Sequence, residues 1–214
     1  MFTTVIQGFL VSFGLIVAIG AQNAYVLKQG LLKQHVFWVC LVCFLCDFTL
    51  LSLGVLGFGG LIDKSPTVKL TLAILGAVFL FWYGYRSFKS AYQGGENLSV
   101  DTTHHTPTTP KKAIATTLAL TLLNPHVYLD TLVLVGTIAS PLNFTQKYAF
   151  LVGAVGASAL WFFGLGYGAR LLIPLFKKEK TWQLLDAFIG IIMWAIGFGL
   201  LKYAFNTWQM WGTD

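Results

Sequence analysis

At 214 residues the chain is long enough for one compact domain, but 56% of its residues are hydrophobic and only 10% charged, with a mean hydropathy of +0.72. A soluble domain carries about 25% charged residues, so water is excluded as the main solvent. The net charge of +6 and pI near 9.3 are spread over many loops without a continuous basic surface, which excludes nucleic-acid binding.

The apolar residues come in long blocks. A helix needs about 20 of them to cross a bilayer, and backbone groups in lipid must be satisfied within the chain. The blocks are too long and continuous for barrel strands. The expected fold is therefore an all-α polytopic membrane protein with about six transmembrane helices, over 5–27, 36–61, 68–85, 113–139, 148–173 and 185–205.

The first block lacks Lys or Arg before Lys28, so it does not read as a cleaved signal peptide. Roughly 22 Å along it as a helix, Gly20-Ala21-Gln22-Asn23 interrupt the apolar run. Gly20 permits unwinding or close backbone approach. Gln22 and Asn23 supply donors and acceptors, either lining a passage or bonding across helices. This polar centre also allows a re-entrant segment, which would reverse the side of the N-terminus.

The second block holds Asp47 between Phe44-Leu45-Cys46 and Phe48-Thr49-Leu50-Leu51. An acid in a membrane helix is costly and marks a functional candidate. It meets a cationic substrate or a proton, or it pairs with a base such as Arg86. Cys40, Cys43 and Cys46 fan around one helix with no His to complete a ligand set. They read as small packing residues, and no metal or cofactor is expected.

After the third block, the polar stretch 93–112, with Gly94-Gly95, His104-His105 and Thr106-Pro107-Thr108-Thr109-Pro110, reads as a connecting loop. It divides a single transport-type domain, 1–214, into a first three-helix repeat, 1–92, and a second, 113–214. An odd number of spans per half makes related halves insert in opposite senses, the inverted-repeat plan of secondary transporters. Weak symmetry sets Gly20-Ala21 against Asn124-Pro125, and Gly76 with Tyr83-Gly84 against Gly190 with Ile196-Gly197.

The fourth block contains Leu123-Asn124-Pro125-His126-Val127-Tyr128-Leu129-Asp130, with Pro125 near mid-depth, roughly 16 Å into the helix. Proline breaks a helix but suits the first position of a new one, and Asn is a favoured N-cap. Helices one and four are thus expected to be interrupted, at Gly20, Ala21 and Pro125. The new N-terminus offers N–H groups and a positive dipole end to an anion such as a substrate carboxylate; the plainer alternative is a proline kink. His126 and Asp130, four residues apart, share a helix face, as a proton-sensitive pair with an anionic contact or as a pair that only orients the helix.

Gly153, Gly156, Gly164, Gly166 and Gly168 in the fifth block read as packing glycines. Trp82, Tyr83, Trp182 and Trp208 read as interface anchors. In the six-span arrangement, Lys28, Lys33, Arg86, Lys89, Lys111, Lys112, Arg170, Lys177, Lys178 and Lys180 fall on one side. Lys64, Lys69, Lys147 and Lys202 fall on the other, so the positive-inside rule places both termini outside the cytoplasm. Each base reads as an interfacial anchor.

The run Ala18-Ile19-Gly20-Ala21-Gln22-Asn23-Ala24-Tyr25-Val26-Leu27-Lys28-Gln29-Gly30, together with the Asn124–Asp130 run, closely resembles the signatures of the lysine/arginine exporter family, its arginine exporter branch in particular. The likeness extends through Asp47 and over essentially the whole chain. One departure is Ala21, where the family commonly has proline, so the first break rests on Gly20 and the amides. The resemblance implies a multi-pass carrier of the bacterial cytoplasmic (inner) membrane that exports basic amino acids using the proton-motive force.

The expected mechanism is alternating access. Asn124 and Pro125 meet the substrate carboxylate, Asp47 or Asp130 its side-chain cation, and Gln22 and Asn23 add hydrogen bonds. His126 is the proton-coupling candidate, its unperturbed pKa being about 6.5. The expected partners are a basic amino acid, protons and membrane lipid, with a homo-oligomer left open. The rival readings are export of neutral amino acids or of a metal cation, and an intramembrane hydrolase built on Ser158 and His126, which lacks a nucleophile elbow.

Overall fold

A computed structural model describes residues 1–17, 20–57, 66–92, 109–177 and 179–211. The side chains of Pro125 and His126, and most of the 93–112 stretch, lie outside the described set. Among the described residues no strand occurs. The helices are α1 (Phe2–Ile16), α2 (Ala21–Leu32), α3 (Val36–Val55), α4 (Pro66–Tyr92) and α5 (Pro110–Leu122). The next rod, α6, starts at Pro125–Tyr128, widens to a π-helix over Leu129–Leu134 and closes as Val135–Ala139. It is followed by α7 (Phe144–Gly168), which runs on as a 3₁₀ segment (Ala169–Lys177), and by α8 (Glu179–Trp211).

Local chemistry sets the starts of two helices. Thr109 caps α5 by accepting from the Lys112 N–H at 3.4 Å, with Pro110 at the first turn, so helix begins inside the stretch expected to be loop. Asn143 and Gln146 form a reciprocal capping box at the head of α7, at 2.9 and 3.1 Å. Both orphan donors are satisfied there, which starts this helix four residues before the expected 148.

By length and apolarity, α3, α7 with its continuation, and α8 can each cross a membrane; α1 and α2, bent by 84°, add a fourth if they form one span. Among the described residues that is fewer than the six expected. The Leu123–Asn124 break cuts the fourth block into pieces too short to qualify alone.

The most extensive helix contacts are α4 with α8 and α1 with α7, followed by α3 with α7. Gly8 meets the Phe150 backbone, and Gly153 meets the Val5 carbonyl and the Phe9 N–H. A side chain at either would drive the two backbones apart. Gly166 likewise faces Cys40 and Val36, whereas Gly156, Gly164 and Gly168 face open space, so only part of the expected glycine set packs. Gly153→Ala should therefore destabilise the protein by about 1–3 kcal/mol, the cost of overpacking. Gly156→Ala should leave the melting temperature unchanged. Thermal unfolding of the two purified variants checks the contrast.

Trp182 corrects another expectation: it is fully buried, among the largest core side chains with Phe150 and Phe162. Trp82 and Trp208 are exposed as anchors should be. Tyr83 is half-buried, edge-on to Tyr25 at 6.0 Å.

Candidate functional site

Two helix breaks open on one cavity. At the first, α1 ends at Ile16 and α2 begins at Ala21 after an extended Gly20 (φ −131°, ψ 177°) that offers no side-chain cap. The leading N–H groups of a helix have no acceptor within it, and they carry the positive end of its dipole. At the second, α5 ends at Leu122 and α6 starts at Pro125, where proline has no N–H to lose. The Asn124 carbonyl accepts from the Val127 N–H at 3.1 Å. The Tyr128 hydroxyl donates to the Leu122 carbonyl at 2.8 Å, satisfying an acceptor that the end of α5 releases.

The cavity, about 250 Å³, is lined by Gly20, Ala21, Gln22, Asn23, Asp47, Asn124 and Asp130 together with apolar neighbours such as Phe162 and Ile196. Among the described residues its lining contains two carboxylates and no Lys or Arg. The residues singled out from the two separated motifs and from α3 thus meet in one space. Pro125 contributes the start of α6. Asp130 sits on the π-helix, a widened turn often found at functional sites; the His126 side chain, expected to share a face with it, lies outside the described residues.

Asp47 is 4% exposed and accepts from the Ser158 hydroxyl at 2.7 Å. Arg86 is not its partner; that guanidinium lies over the Trp82 ring at 5.4 Å. Asn23 donates from Nδ2 to the Ile16 carbonyl at 2.7 Å and accepts at Oδ1 from the Trp161 indole N–H at 3.1 Å. It therefore lines the cavity and also ties the first break together. Gln22 Nε2 is buried with no hydrogen bond among the described residues.

Ser158 and Trp161 are the functional neighbours that sequence reasoning missed. One turn apart on α7, they face the same way, and between them they hold Asp47 of α3 and Asn23 of α2. The sequence offered Ser158 only as the nucleophile of a rival hydrolase, and its hydroxyl is engaged with the Asp47 carboxylate. The cysteines do pack: Cys40 and Cys43 are fully buried, and Cys40 Sγ donates to the Phe162 carbonyl at 3.1 Å.

A second correction concerns Lys28. Expected as an interfacial anchor, it is 8% exposed, with Nζ 2.7 Å from Oδ1 of the fully buried Asp186. The other Asp186 oxygen accepts from Ser90 Oγ at 2.6 Å. The bend after α1 turns α2 into the bundle, where nine of its twelve residues are buried. Asp186 could have been noticed, since it interrupts the apolar run Leu184-Leu185-Asp186-Ala187-Phe188-Ile189.

Apolar helices that can cross a bilayer, interrupted at two points around a shared acid-lined cavity, are the arrangement of a membrane transport protein. The chain belongs to the LysE type translocator family, whose model matches residues 13–204. It is 40% identical over 204 residues to YggA of Aeromonas salmonicida, covering 95% of this chain and 98% of that one. It is 37% identical over 196 residues to the arginine exporter protein ArgO of Salmonella typhimurium, and equally to that of Enterobacter sp. (strain 638), covering 92% of each chain. No solved structure matches it. It is a multi-pass translocator of the bacterial inner membrane and not an enzyme.

Proposed function

We propose that this chain exports L-arginine, with L-lysine as a second substrate, across the cytoplasmic membrane by secondary-active alternating access. The observation that carries the reading is the charge of the cavity. Asp47, buried and held by the Ser158 hydroxyl, shares with Asp130 a space that no lysine or arginine lines among the described residues, and a buried carboxylate facing such a space favours a cationic guest. A neutral amino acid would bring no charge to Asp47. The substrate carboxylate then lies at the opposite side, near the N-terminus of α6 at Asn124-Pro125, where the open start of α2 adds donors together with Gln22 and Asn23.

The six-span, inverted-repeat arrangement belongs to the same proposal, with repeats at 1–92 and 113–214 around the 93–112 connection. What supports it is that the third block packs most extensively on its equivalent, the sixth, while the first and fourth are the two that break. Both termini then lie outside the cytoplasm. Proton coupling through His126 is part of the proposal and rests on the imidazole's titration near neutral pH.

Counterflow of external radiolabelled arginine into proteoliposomes loaded with unlabelled arginine, under imposed pH differences and voltages, tests substrate and driving force together. Arginine and lysine should compete with the label, and neutral amino acids and divalent cations should not. Uptake should respond to the pH difference. Competition by leucine or alanine as strong as that by lysine would replace this reading with a neutral amino-acid carrier.

A further inference from the structure

A second cavity, about 90 Å³, opens further along α2 and is lined from α2, α4 and α5. Its lining begins at Tyr25, four residues beyond Ala21 and about 6 Å along the helix, and shares no residue with the first. Among the described residues, the charged side chains that line it are Lys28, Arg86 and Lys112, with no acid among them. Asp186, behind Lys28, is already engaged by Lys28 and Ser90. One of three cations is therefore compensated, and two more converge from separate helices. A small volume with that excess charge favours an anion.

The lining also supplies neutral groups of defined polarity. Ser87 is buried and adds a hydroxyl. Gln29 is 4% exposed, and its Oε1 is buried without a hydrogen-bond partner. An orphaned buried acceptor is costly and asks for a donor. A guest that answers both features presents anionic oxygens to the cations and a hydroxyl to Gln29. The space holds several water molecules, enough for a tetrahedral oxyanion. Arg86 is stacked on the half-exposed Trp82, and tryptophan favours the headgroup level of a bilayer.

We propose that this cavity, between α2, α4 and α5, binds a phosphate group with a hydroxyl beside it, presented by the phosphoglycerol headgroup of an anionic lipid or as hydrogen phosphate from solution. Arginine is suited to phosphate through its fork of donors. Basic pockets between membrane helices are a known setting for anionic headgroups.

The test uses the full chain, purified and read by thermal unfolding. One arm titrates inorganic phosphate against chloride at matched ionic strength. The other compares nanodiscs of phosphatidylglycerol with nanodiscs of phosphatidylcholine. Stabilisation by phosphate beyond chloride identifies the free ion; stabilisation by phosphatidylglycerol alone identifies the lipid. The Arg86→Gln/Lys112→Gln variant should weaken the effect at least about tenfold, in line with losing charge-assisted hydrogen bonds. Should that variant insert poorly, Ser87→Ala, which keeps every charge, should weaken it several-fold. Absence of stabilisation in both arms, or equal stabilisation of wild type and variants, would overturn the site and leave these cations as topological anchors.

Discussion

Asp47→Asn is expected to abolish arginine efflux while the protein still inserts and folds. In the proposed complex the Asp47 carboxylate faces the substrate cation in a cavity that no Lys or Arg lines among the described residues, and truncating one partner of such a buried pair costs about 2–5 kcal/mol. That is more than about thirtyfold in the concentration needed for half-maximal efflux. Asp130→Asn should act in the same direction. Ser158→Ala removes only the hydroxyl that orients one Asp47 oxygen at 2.7 Å, so its loss should be nearer tenfold, the scale of one hydrogen bond to a charged group. The two Asp47–Ser158 effects should not add: once the carboxylate is an amide, the serine has no charge to orient. Efflux assays on Asp47→Asn, Ser158→Ala and the double variant check this. Full efflux from well-inserted Asp47→Asn and Asp130→Asn proteins would remove the electrostatic basis of arginine recognition.

Those acids were legible before any coordinates because lipid punishes charge so heavily. An aspartate amid Phe, Leu and Cys stands out against its surroundings. Helix breaks were legible for the same reason, since Gly20 and Pro125 disturb runs that have no other cause to stop. Their convergence on one cavity could only be an expectation, because sequence spacing says nothing about how α2 and α6 approach across the bundle.

What escaped notice was ordinary in type. Ser158 and Trp161 sit in a run of small and aromatic residues that any packed helix would use, and only their hydrogen bonds to Asp47 and Asn23 set them apart. The glycines of α7 divided for a geometric reason. Gly153 and Gly166 face neighbouring helices, while Gly156, Gly164 and Gly168 point to open space, a distinction that depends on which face of the helix turns inward. Lys28 was misjudged because a base near the end of a hydrophobic block is usually at the interface. The sharp bend between α1 and α2 changes its depth.

That misjudged lysine leads to the second large effect. Lys28→Met should cost about 3–5 kcal/mol, because it strands Asp186 as an unpaired charge in the core, and breaking one side of a buried ion pair is far worse than never having it. Ser90 keeps one hydrogen bond to Asp186, so the aspartate is partly held but still uncompensated. Replacing both partners, Lys28→Met with Asp186→Leu, should recover most of the lost stability, since an apolar pair of similar volume avoids the desolvation cost of two ions. Thermal unfolding of the single and double variants separates these outcomes, and a double variant no more stable than Lys28→Met would rule out the ion pair as the cause. Efflux carries the argument one step further. Lys28 ties α2 to α8, and the same α2 presents Ala21, Gln22 and Asn23 to the cavity. If the pair merely anchors α2, the double variant should regain transport along with stability. Recovered stability without recovered transport would mean that the ion pair must break and re-form as the carrier changes the side to which its cavity opens.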